Sequence, residues 1–123
     1  MKRVTMLFAA GFLFLAAASL PIMRASALQA VVTDDNLDQM IASAKTRAEH
    51  EAIAAFYEQQ VLDAKKKASI HRRTAETYRS LKIPKPVYMA EMCDGIAAMW
   101  DKIAADNSKL AKAHEDMANN AGG

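Results

Sequence analysis

A chain of 123 residues has room for one small domain. Its 16 Lys and Arg against 14 Asp and Glu give a net charge of only +2, too small a basic excess for a nucleic-acid binder. The single cysteine, Cys93, excludes an internal disulfide; in an oxidising compartment it must be buried, metal-bound, paired between molecules or reactive.

The chain opens with Lys2 and Arg3, continues with an apolar run over residues 4–22, and reaches "ASA" at Ala25, Ser26 and Ala27. A basic start, an apolar stretch and small residues at alternate positions are the marks of a secretory signal peptide. The expected cleavage is after Ala27, with Ala30 as the alternative, so residues 1–27 are read as the signal and 28–123 as the mature domain. The competing reading is an uncleaved membrane anchor, because the run approaches the roughly 20 residues needed to span a bilayer; Pro21 and Arg24 close it and favour the signal. No cysteine near the site offers a lipid attachment point. The expected location is therefore the periplasm or the medium. Cleavage also removes Lys2, Arg3 and Arg24 from the 16 basic side chains, leaving 13 against 14 acidic ones.

In "VVTDDNLDQMIASAK", Thr33, Asp34 and Asp35 stand as candidate caps before Leu37, Met40, Ile41 and Ala44 at helical spacing, which predicts a short helix over about 35–45. "TRAE" at residues 46–49 fits a capping box, with Thr46 capping Glu49 and Glu49 reaching back. From there to residue 79 no Gly or Pro interrupts a run rich in Ala, Glu, Gln, Lys and Arg, which predicts a long helix over 47–79. "SLKIPKP" breaks it, since Pro84 and Pro86 cannot sit in a helix interior. Pro86 suits the first turn of a third helix over 86–119; Gly95 lies inside it and "NNAGG" frays.

The two long helices read as an internal repeat. "EAIAAFYE" from Glu51 matches "DGIAAMWD" from Asp94, and at the same offset "ASIHRRTA" from Ala68 matches "AKAHEDMA" from Ala111. A seam with alternating steps of four and three runs through His50, Ala54, Tyr57, Val61, Ala64, Ala68, His71, Ala75 and Tyr78. Its counterpart runs through Cys93, Ala97, Trp100, Ala104, Asn107, Ala111, His114 and Ala118. The expected fold is all-α: a short N-terminal helix, then an antiparallel two-helix hairpin with an alanine-rich, coiled-coil-like seam. With Tyr78 opposite Pro86, the layers are His50 with His114, Tyr57 with Asn107, Ala64 with Trp100, and His71 with Cys93. The same register pairs Arg73 with Glu91, Asp63 with Lys102, and Lys65 or Lys66 with Asp101.

Met89, Met92, Ile96, Met99, Ile103, Leu110 and Met117 form a second, bulkier stripe on the later helix, with Ile53, Phe56 and Ile70 on the earlier one. A hairpin alone cannot cover it. Either the short helix bearing Leu37, Met40 and Ile41 packs across part of it, or two hairpins join into a four-helix bundle as a homodimer, or an envelope protein partner docks there.

Two readings of the polar layers stand side by side. His71 with Cys93 and Met89, and His50 with His114 and Met117, offer imidazole, thiolate and thioether donors suited to Cu(I) or Zn(II). Alternatively the layers fix register, as a buried Asn does in coiled coils, and the methionines are adaptable core. Catalysis is not expected. Ala68 and Ala111 stand where a ferritin-like centre needs Glu three residues before His; there is no haem-attachment or phosphate-loop motif, and a helix seam offers no concave site. Lys65, Lys66, Lys67, Arg72, Arg73, Arg79, Lys82 and Lys85 gather towards the loop with Glu76 among them, either a solvated face or a contact for an anionic surface.

With its segments "AEHEAIAAFYEQQ" and "ASIHRRTAETY", the chain resembles a group of small exported bacterial helical-hairpin proteins over much of residues 46–117. The resemblance implies export and a helical fold and implies no activity. The function expected is a non-catalytic interaction or scaffold module of the cell envelope, with periplasmic metal binding as the alternative.

Overall fold

The structure, a computed structural model, describes residues 31–122; the signal-like segment with its cleavage site lies outside the described residues. Three helices follow in order: α1, Leu37–Ser43; α2, Arg47–Ser80; α3, Pro86–Asn120. At 1.5 Å per residue, α2 and α3 are each about 50 Å long, and they pack against each other along that length as an antiparallel hairpin. No helix among the described residues is long and apolar enough to cross a membrane.

Local chemistry sets the breaks. The N-cap of α1 is Asn36, not Thr33, Asp34 or Asp35, and its side chain makes no capping bond into the helix. Asn36 Oδ1 instead accepts from the Thr33 amide at 2.8 Å, closing the turn before the helix. The box at Thr46 forms in full: the Glu49 amide donates to Thr46 Oγ1 at 3.3 Å, and Glu49 Oε2 accepts from the amides of Thr46 and Lys45 at 2.9 and 2.8 Å. Those backbone donors hold the Glu49 carboxyl below its usual pKa. Four amides that a helix start leaves without partners are thereby partly satisfied, and α2 begins cleanly after α1 instead of continuing it. At the other end, Pro86 opens α3 at its first turn. Lys85 before it takes left-handed backbone angles (φ 60°, ψ 38°), the one described non-glycine residue to do so.

The interface is made of alanine. Of the eleven buried apolar residues among those described, Ala54, Ala64, Ala68, Ala75, Ala90, Ala97, Ala104, Ala111 and Ala118 are alanines, and only Ile53 and Tyr57 are large. Every residue of the expected seam on both helices is buried or half-buried, so the heptad reading places the contact line correctly. Ile53 and Tyr57 meet Ala111 at the open end of the hairpin, and Val32, Leu37, Met40, Ala44 and Phe56 pack onto them. The short helix therefore covers the Ile53–Phe56 end of α2 and makes its helix contacts with α2 alone. Ile41, expected to join that packing, is 40% exposed.

The flanking charges choose different partners from those the sequence register suggests. Asp101 pairs with Arg72, not with Lys65 or Lys66, and Asp94 pairs with Arg79. Asp63 accepts from Gln59, Lys102 binds Asp106 within its own helix, and Arg73 and Glu91 make no ion pair. Both cross-helix pairs lie one residue after the seam on each helix, on a single broad side of the hairpin. The apolar stripe lies one residue before the seam, on the opposite side.

Candidate functional site

The seam brings one of the two predicted histidine layers into direct contact. His50, from the first turns of α2, and His114, from the last turns of α3, place their Nδ1 atoms 3.2 Å apart. Their rings lie 5.4 Å apart at 37°. Two neighbouring Nδ1 atoms at this distance share one proton between a donor and an acceptor. The Tyr57 ring stacks on His114 at 6.0 Å and 27° and sits edge-on to Phe56 at 5.6 Å, so the imidazole is held on its face as well as its edge. His114 is 7% exposed, whereas His50 is half-buried at the rim. Burial first, and the neighbouring His50 second, push the His114 pKa below its usual value, which keeps that ring neutral at pH 7.

Tyr57, expected in a layer with Asn107, stacks on His114. Asn107 turns its amide to the Ile103 carbonyl at 3.0 Å along its own helix. Trp100, expected against Ala64, lies under the Lys67 ammonium at 4.2 Å from the ring centroid, a cation–π contact that the sequence reading lacked.

The other predicted donors lie farther along the seam and on the stripe. His71 and Cys93 are both half-buried on the seam, and no hydrogen bond joins them. Met89 is half-buried, and Met117, one turn after His114 on α3, is 47% exposed on the apolar stripe. Among the described residues no group of three or more His, Cys, Asp or Glu side chains is placed to hold a metal ion.

The stripe itself is continuous. Met89, Met92, Ile96, Met99, Ile103, Asp106, Leu110, Ala113 and Met117 follow alternating steps of three and four along the whole of α3, one residue before each seam position. Met92, Met99, Ile103, Leu110 and Met117 are between 39% and 62% exposed. Asp106 is the only charge in the line, and Lys102 and Lys109 hold it from the same helix. These two lysines keep the Asp106 carboxyl below its usual pKa.

On the opposite side, a half-open groove of about 450 Å³ runs between the helices, lined by Glu58, Val61, Leu62, Ser108, Ala111, Lys112 and Glu115. Sequence reasoning missed it. The signal was Leu62, a large apolar residue one step past the seam with only alanines, Ser108 and Lys112 available to fill the space opposite. The basic end is partly neutralised, since Arg72 and Arg79 are tied to Asp101 and Asp94, while Lys65, Lys66, Arg73, Lys82 and Lys85 make no ion pair among the described residues.

No protein-family model, no curated protein and no solved structure matches the chain.

Proposed function

We propose that the protein is an exported, non-catalytic helical interaction module of the bacterial cell envelope, and that it associates through the apolar stripe of α3, first of all with a second copy of itself. The observation that carries this reading is the exposed line of Met92, Met99, Ile103, Leu110 and Met117, interrupted by Asp106 alone among charged residues, on a hairpin whose own interface is nearly all alanine. A buried alanine contributes about one methyl group, roughly 0.8 kcal/mol, whereas a fully buried Met, Ile or Leu contributes about 1.5–3 kcal/mol. Covering the exposed part of these five side chains would therefore add appreciably to what the alanine interface supplies. Two hairpins brought together along α3 would cover it as a four-helix bundle. The signal-like residues 1–27 are the support for export.

The test is sedimentation of the protein as purified from its producing cell, with its N-terminus read by intact mass. A dimer that the double variant Met99→Lys, Leu110→Lys converts to a monomer is expected, with the leader gone. A wild-type chain that stays monomeric across the concentration series refutes self-association; a mass that retains residues 1–27 refutes export by cleavage.

A further inference from the structure

We propose that His50 and His114 form a binding site for one divalent transition-metal ion of the zinc, nickel and copper(II) class, the two Nδ1 atoms serving as protein ligands and water completing the coordination sphere. The separation of the nitrogens carries the argument. Two ligand nitrogens at 2.0–2.1 Å from a tetrahedral Zn²⁺ stand roughly 3.3–3.4 Å apart, and neighbouring ligands of an octahedral ion roughly 3.0 Å apart, from bond lengths of that size. The observed 3.2 Å lies between them. A linear two-coordinate Cu(I) ion would need about 4 Å by the same arithmetic, so the pair selects ions that accept ligands side by side. Of the six donors suggested by the sequence, these two are the pair whose nitrogen atoms stand within hydrogen-bond distance of each other.

The surroundings suit the purpose. The two rings come from helices 64 residues apart in sequence, so a bound ion would bridge the open end of the hairpin. Tyr57 braces the His114 ring and limits its rotation, while the half-buried His50 leaves an approach from solvent. The exchange balances without a redox partner. In the free pair one ring carries its proton on Nδ1 and donates it to the other. On metal entry that proton leaves Nδ1 while solvent protonates Nε2 of the same ring, both Nδ1 lone pairs bind the ion, and two metal-bound waters depart. No net proton is released from the neutral pair.

The experiment is a competition titration of the purified protein with Zn(II), Ni(II) and Cu(II) against a chromophoric chelator near pH 7.5, alongside His50→Gln, His114→Gln and His71→Gln, each checked for helicity by circular dichroism. Expected is one ion per chain, with Cu(II) bound most tightly in keeping with the Irving–Williams order. Affinity should fall at least tenfold in either His50→Gln or His114→Gln and hold in His71→Gln. Nitrogen-15 spectra of the wild-type imidazoles keep the test decisive should a variant unfold: Zn(II) must move the His50 and His114 Nδ1 signals and leave those of His71 in place. Equal binding by wild type and both variants, an ion shared between two chains, or unmoved His50 and His114 signals would each overturn the site. The outcome is separate from self-association, since it needs only the intrachain pair.

Discussion

Replacing Ala68 by Leu probes how closely the two long helices approach. Ala68 is fully buried, midway along α2 in a line of alanines that faces Ala90, Ala97 and Ala104 of α3. Leucine is among the better helix formers, so propensity costs almost nothing. Three added carbons would have to enter a seam of buried alanines flanked by half-buried His71, Cys93 and Trp100. Overpacking of this kind costs about 1–3 kcal/mol. For a domain of this size each kcal/mol moves the midpoint by about 4–8 °C, so a fall of roughly 4–24 °C is expected. Urea and thermal unfolding followed at 222 nm, at one fixed protein concentration because association shifts apparent stability, would read it. Ser69→Leu, one residue along and exposed, serves as control and should stay within about 0.5 kcal/mol of wild type. An Ala68→Leu midpoint equal to or above that of Ser69→Leu would show that the helices are not in close contact there.

Gly95→Ala should raise stability by about 0.5–1 kcal/mol in the same assay, because Gly95 sits inside α3 with nothing within 4 Å of where a Cβ would be; an unchanged or lowered midpoint would contradict a regular helix there. Thr46→Ala should cost about 1 kcal/mol by removing the acceptor for the Glu49 amide, and Thr46→Gly only a few tenths beyond backbone effects, read by urea midpoint. The pH dependence follows from His114: its folded pKa lies below the unfolded value near 6.5, so the unfolded chain binds the proton more readily. Stability should be full above that unfolded pKa and decline as pH falls through it towards the lower folded value. Midpoints measured across this range should fall on acidification in the wild type, and a flat His114→Gln profile should accompany them; equal slopes in both proteins would sink the assignment.

The helices, the seam and the His50–His114 contact were readable because each depends on spacing alone. Alanine at every third or fourth position leaves one way to bring two helices close, and the prolines at 84 and 86 set where the chain turns. The charge partners were not readable from backbone register. Side chains on a helix lean towards its N-terminus by about a turn, and in an antiparallel pair both partners lean apart along the chain numbering. Asp101 is consequently met by Arg72, farther along α2 than Lys65 or Lys66. The same lean carries Tyr57 towards His114 and away from Asn107. His71 and Cys93, expected in one layer, make no hydrogen bond to each other.

The hairpin's two broad sides differ in kind, with Arg72–Asp101 and Arg79–Asp94 crossing one and the methionine line running down the other. Were two copies to join through the methionine line as proposed, the ion-paired side, with the groove beside Leu62, would stay open to solvent. That contact would close on itself, and further growth would have to use the groove side. The alanine seam that keeps the hairpin thin thus leaves the bulkier residues exposed.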